Sequence, residues 1–96
     1  NAGIKDEQLF NILKKLNFDY IPISQVQQMS IIDRLKLAES LSKDKNIVKT
    51  LFLIWLKELV NLNTTAFLLN LFVEKINNLK YNLNLRLHVE SLLISI

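Results

Sequence analysis

The feature that most constrains the fold is a run of six apolar residues, 51–56, which reads LFLIWL. At 3.6 residues per turn, six successive side chains of a helix point in every direction. No single neighbouring element can cover such a run. We therefore predict that residues 45–62 form either the central helix of a bundle or a helix with one face against another subunit.

The composition favours helices in the rest of the chain as well. Half of the 96 residues are hydrophobic, and there is only one Gly and one Pro, which disfavours a turn-rich sheet. A chain of this length makes one domain and buries roughly 60–65% of its unfolded surface. The absence of Cys excludes disulfides and thiolate metal sites and suits a reducing cytoplasm. We expect a cytoplasmic, all-α fold, a compact bundle of about five helices.

The start of the chain reads Asn1-Ala2-Gly3 and lacks an initiating Met. We interpret residues 1–3 as a disordered tag remnant on a piece of a longer protein, and residues 4–96 as a single helical domain. The longest uncharged stretch, 59–73, contains three Asn and two Thr. It is shorter than the ~20 apolar residues that a bilayer requires, so we expect no membrane contact.

The first helix is bounded by an acidic start and by the only proline. It begins near Asp6 and must end before Pro22, because proline disfavours helical geometry in the residue before it. Its apolar stripe consists of Leu9, Ile12, Leu13 and Leu16. We expect the connector that follows to press onto the core through Phe18, Tyr20 and Ile21.

Polar residues predict where the later helices begin. A short helical turn starts at residue 24, and the spacing of Ser30 and Asp33 resembles a capping box, so residues 30–42 form a helix. Asp44 caps the helix over 45–62. Asn63 or Thr64 caps a further helix that runs to about residue 79.

The last helix has two apolar faces. Asn84 is a natural N-cap, and one face of the helix carries Leu85, Val89, Leu92, Leu93 and Ile96. The opposite face carries Leu87 and Ile94. Residues 80–88 alternate between apolar and polar, which also allows a strand. Since no partner strand is predicted, we favour a turn followed by a helix.

This segment resembles the C-terminal helix of bacterial clamp-loader subunits, above all the delta-prime subunit of DNA polymerase III. The matching residues are Asn82, Asn84, Arg86, Leu87, Glu90, Leu92 and Leu93. Leu85 stands where the family often has a proline, and His88 where a small residue is usual. The likeness extends more loosely upstream through residues 33–45 and the apolar helix after them.

The resemblance implies a collar domain, which is an assembly part of the machine that loads the sliding clamp in DNA replication. In that family, five subunits join through such C-terminal domains. The partners would then be other clamp-loader subunits, and this fragment would have no catalytic role, no cofactor and no direct contact with DNA. The collar of a paralogous subunit, including the ATP-hydrolysing one, is a close variant.

Seven residues are candidates for contact with neighbouring subunits. They are Leu53, Trp55, Leu56, Arg86, Leu87, His88 and Ile94. Three of them have simpler interpretations: Trp55 as a core residue with its N–H bonded to a carbonyl, Arg86 as the partner of Glu90 one turn later, and His88 as an ordinary surface histidine. We predict that Leu87 and Ile94 are partly exposed.

The sequence shows no arrangement typical of an enzyme. The single Gly3 cannot supply a phosphate-binding loop, and His88 has no neighbours at metal-ligand spacing. The acidic residues of the helices, Glu39, Glu58, Glu74 and Glu90, read as solvent-facing members of separate helices. We therefore predict no catalytic, metal or cofactor site in this fragment.

A small helical nucleic-acid-binding module is the alternative from a different class. The isoelectric point is about 9.3 and the net charge is +3. The lysines are scattered, whereas a nucleic-acid footprint is normally clustered. This alternative predicts DNA binding that weakens strongly as salt rises.

Overall fold

The computed structural model describes residues 6–81 and 84–96, and these contain six α-helices and no strand. The helices are α1 (Asp6–Lys15), α2 (Ile23–Gln27), α3 (Ile31–Leu41), α4 (Lys45–Asn61), α5 (Ala66–Asn78) and α6 (Leu85–Ser95). The all-α prediction is confirmed for this part of the chain, and the short turn predicted from residue 24 is α2. The interpretation of residues 1–3 as a tag remnant lies outside the described residues, as do Asn82 and Leu83.

Three predicted helix starts are confirmed by a side-chain oxygen that accepts a backbone N–H. The pairs are Ser30 with Asp33 at 3.2 Å, Asp44 with Asn46 at 2.8 Å, and Asn84 with Leu87 at 3.2 Å. Each bond satisfies a donor that the first turn of a helix leaves without a partner.

The predicted cap of α5 is wrong, because the residues proposed for it end α4 instead. Asn63 adopts a left-handed conformation with φ of 55°, which Asn tolerates better than most residues. The N–H of Thr64 then bonds to the carbonyl of Leu59 and that of Asn63 to Val60, the Schellman pattern of a helix end. Thr65 takes the N-cap position of α5 without a side-chain bond.

Helix α4 is the centre of the bundle, which is the first of the two predicted alternatives. Helices α1, α2, α3 and α5 all pack against it. Within the apolar run, four side chains are buried and two, Leu53 and Leu56, are only half-buried. The neighbouring helices therefore cover most of this run but leave one side of α4 incompletely covered.

Three aromatic rings form the middle of the core. The ring centroids of Phe52 lie 6.0 Å from Trp55 and 6.1 Å from Phe72, and those of Trp55 and Phe72 are 6.4 Å apart. Trp55 is fully buried and its indole N–H donates to the carbonyl of Ile21 at 2.7 Å. The connector after α1 is thus held on the core as expected, and the core interpretation of Trp55 is confirmed.

Glu58 does not face solvent, contrary to the sequence-based expectation. Its Oε1 accepts the backbone N–H of Ile23 at 2.9 Å and so caps the start of α2 from α4. Pro22, the N-cap residue of α2, makes no side-chain capping bond. The carboxylate supplies the acceptor that the local sequence lacks, and it also suits the positive end of a helix.

Helix α1 buries less of its stripe than predicted. Leu9 and Leu13 are 1% exposed, Leu16 is half-buried, and Ile12 is 37% exposed. The reason is that α1 packs chiefly on one neighbour, α4. A single neighbouring helix covers only part of a stripe of this width.

Arg34 ties three parts of the chain together in a way that the sequence pattern did not predict. Helix α6 packs on α3, with the end of α6 beside the start of α3. The Arg34 guanidinium donates to three backbone carbonyls: Met29 at 3.2 Å, Leu93 at 2.9 Å and Gln27 at 2.8 Å. Because two of these lie in the final turns of α2 and α6, the positive charge also complements the negative ends of both helices.

We expect Arg34→Met to lower the free energy of unfolding by about 2–3 kcal/mol, since three charge-assisted bonds are lost and two partly buried carbonyls lose this donor. Urea unfolding followed by circular dichroism measures this loss. Arg86→Met is the matched control and should cost about 0.5 kcal/mol or less, because Arg86 makes an exposed pair. Equal losses in the two variants would contradict the role of Arg34.

Candidate subunit interface

The two-sided character of α6 is clear in the structure. Val89, Leu92 and Leu93 are fully buried, whereas Leu87 and Ile94 on the opposite face are 61% and 50% exposed. The prediction for these two exposed residues is confirmed. Leu85 shares the face of the buried residues but is only half-buried, because it lies in the first turn, at the edge of the packed face. We call Leu87, Ser91 and Ile94 the outer face of α6.

The three interface candidates on α4 have different environments. Trp55 is wrong as a candidate, because its indole is fully buried and bonded within the domain. Leu53 and Leu56 pack against the core and stay half-buried. With Val60, which is exposed, they repeat at helical spacing along one side of α4. This side therefore remains available for contact.

Arg86 makes the simpler of its two predicted contacts. Its Nε lies 3.2 Å from Oε2 of Glu90, one turn further along α6. The Arg86 side chain is 54% exposed, so solvent screens the pair and it contributes about 0.3–0.5 kcal/mol to stability. The pair lies at the start of α6, beside Leu87, and adds a polar border to the outer face.

His88 joins α6 to α5. Its Nε2 lies 2.9 Å from the backbone carbonyl of Lys75, so this nitrogen carries the proton and donates it. The ring is half-buried and its centroid is 6.5 Å from that of Phe52. Lys75 makes a second link, since its Nζ donates to Oγ of Ser91 at 3.0 Å. The position of α6 on α5 is thus set by two polar contacts.

The environment of His88 favours the neutral imidazole. Burial in the bundle lowers the pKa of His88 below its ordinary value of 6.5, the bond to the Lys75 carbonyl opposes this, and the positive charge of Lys75 adds to the lowering. A proton on this ring is therefore bound more weakly in the folded than in the unfolded chain. His88 is a structural link between two helices rather than a free surface group.

Several exposed apolar residues were not among the interface candidates. Around the turn between α4 and α5 they are Val60, Leu62 and Phe67, and at the start of α3 they are Ile31 and Ile32. Phe67 is the most exposed of the five. A signal was present in the sequence, because the apolar residues of α5 cover more than one stripe, but periodicity alone does not show which stripe is buried.

Among the described residues, no three His, Asp or Glu side chains come together in a group that could hold a metal ion. In the same ranges, none of the helices has the length and apolar character needed to cross a membrane.

Comparisons with protein-family models, with curated proteins and with solved structures found no match.

The lowered pKa of His88 makes the stability of the domain depend on pH. The unfolded chain takes up a proton at this residue at higher pH than the folded chain does. The stability present above the ordinary pKa of 6.5 is therefore lost as pH falls through the lower pKa of the folded state. We expect the melting temperature to fall as pH is lowered from about 7.5 to about 5.

The control for this prediction is His88→Gln, whose amide N–H can still donate to the Lys75 carbonyl. Since His88 is the only histidine, the variant should have a smaller change in melting temperature over the same pH interval. Identical pH profiles for the two proteins would contradict the assignment.

Proposed function

We propose that this domain is a non-catalytic assembly module, the collar domain of a clamp-loader subunit of the delta-prime type. The observation that carries the proposal is the outer face of α6, where Leu87 and Ile94 are exposed on a helix whose other face is buried at Val89, Leu92 and Leu93. The proposed partners are the C-terminal domains of other clamp-loader subunits in the cytoplasm. The module takes no cofactor and contacts no DNA.

The physical support is the amount of apolar surface left in water. Large hydrophobic residues are exposed on every helix except α2. On α3, α4, α5 and α6, some of these side chains are at least 50% exposed. Scattered exposed apolar residues are normal, whereas contiguous exposed apolar patches mark contact sites. A partner that covers them gains roughly 25 cal/mol for each Å² of apolar surface removed from water.

The resemblance supports the choice of a clamp-loader collar among assembly modules. Four of its residues lie in the first turns of α6: Asn84 caps the helix, Arg86 and Glu90 form an ion pair, and Leu87 is exposed. Leu92 and Leu93 fix the helix to the core. The segment that resembles the family thus combines a part that anchors the helix with a part that remains free for a neighbour.

The proposal predicts opposite outcomes for two leucines on the same helix. Leu87→Asp should leave a folded domain with a melting temperature close to that of the parent, because Leu87 is exposed. It should prevent assembly with the other clamp-loader subunits in gel filtration. Leu92→Asp should cost about 4 kcal/mol or more and unfold the domain, because it buries a charge without a partner.

Leu62→Asp is the matched control, since Leu62 is 62% exposed but lies in the turn after α4. It should fold and assemble like the parent. Assembly that survives Leu87→Asp would contradict the proposal, and so would equal losses of stability for Leu87→Asp and Leu92→Asp.

A further inference from the structure

An apolar groove lies between α1 and the first half of α4, and none of the residues of the outer face of α6 is part of it. Its volume is about 330 Å³, and it is open to solvent. Its lining comprises Leu9, Ile12, Lys15 and Leu16 from α1, and Asn46, Lys49, Thr50 and Leu53 from α4. The floor is apolar, and a lysine stands on each wall.

The spacing of the lining residues shows that both walls are helix faces. Leu9, Ile12 and Leu16 are separated by three and four positions, and the α4 residues repeat in the same way. The groove therefore follows the helices for about two turns, roughly 10 Å. A channel of this shape between two helices accommodates the apolar ridge of a third helix.

The exposure of Ile12 shows that no described part of the chain covers the groove. Ile12 belongs to the same apolar stripe as Leu9 and Leu13, which are buried. Ile12 itself is 37% exposed and lies in the groove. Leu53, on the facing wall, is only half-buried. Apolar residues of both walls thus remain partly in water, where a docking helix would cover them.

The charge of the lining selects the kind of partner. Among the lining residues that the structure describes, there are two lysines and no acidic residue. Both lysines are exposed, so their ammonium groups can meet a charge that arrives with a ligand. We propose that the groove binds an amphipathic helix of a partner protein, with apolar residues at i, i+3, i+4 and i+7 and with acidic residues on its flanks.

Two other occupants fit the lining less well. A second copy that docked symmetrically would bring Lys15 and Lys49 against the same lysines of its partner, and like charges repel. A nucleic acid would use the lysines but would leave the exposed parts of Ile12 and Leu53 without an apolar partner. An acidic amphipathic helix satisfies both parts of the surface.

The test uses a fluorescently labelled, end-capped peptide of about 14 residues, which is long enough to form a marginally stable helix. Leu occupies the i, i+3, i+4 and i+7 positions, and Glu occupies the flanks. We expect saturable binding by fluorescence anisotropy, and no comparable binding of a peptide in which Lys replaces each Glu. Absence of saturation up to about 1 mM protein, or equal binding of both peptides, would overturn the proposal.

Matched charge variants separate the groove from the overall charge of the domain. The double variant Lys15→Glu and Lys49→Glu should weaken binding about tenfold or more, because two attractions become repulsions. Lys36→Glu with Lys80→Glu makes the same change in net charge away from the groove and should leave the affinity within about twofold. Equal weakening by the two double variants would overturn the proposal.

Two further variants identify the occupied surface. Ile12→Asp should fold, since Ile12 is partly exposed, and should abolish peptide binding. Leu87→Asp should bind the peptide like the parent, so that failure of the collar proposal and failure of the groove proposal are distinguishable. Two observations would assign the groove to another occupant and overturn the proposal: a dimer that Ile12→Asp dissociates, or a DNA oligonucleotide that binds where the acidic peptide does not.

Discussion

The structure depends on the covering of α4. Its apolar run points in every direction, so the helix is stable only when several neighbours exclude water from it. Helices α1, α2, α3 and α5 provide this cover. Two polar side chains of α4 hold neighbouring segments in place through directional hydrogen bonds. The Trp55 indole binds the connector after α1, and the Glu58 carboxylate binds the start of α2.

The packing of α6 explains why apolar surface is left over. Helix α6 packs chiefly on α3 and α5. Because it has apolar residues on two faces, the face that points away from these two helices is left uncovered. Leu87 and Ile94 are therefore exposed as a consequence of the packing. In the proposed collar function, a neighbouring subunit covers these two residues.

The features that were predictable from the sequence are those set by residues close together in the chain. The caps at Ser30, Asp44 and Asn84 act over two or three positions, and the two faces of α6 follow from helical periodicity. The same holds for the pair Arg86 and Glu90. In each case the physical cause lies within one or two helical turns, and the residue pattern shows it directly.

The features that were missed depend on residues that are far apart in the chain. Arg34 bonds to Leu93, and Glu58 bonds to Ile23, so their roles require knowledge of which helices are neighbours. The exposure of Ile12 depends on the same knowledge. Periodicity identifies the apolar faces of a helix, but only the packing decides which face is covered.

The central claim, that the outer face of α6 is covered in an assembly, can be tested by cysteine alkylation, because the chain has no Cys of its own. Leu87→Cys should react rapidly with iodoacetamide in the isolated domain and should be protected when the other clamp-loader subunits are added. Leu62→Cys should react at the same rate in both conditions. An alkylation rate at Leu87→Cys that does not change on addition of the partners would contradict the claim.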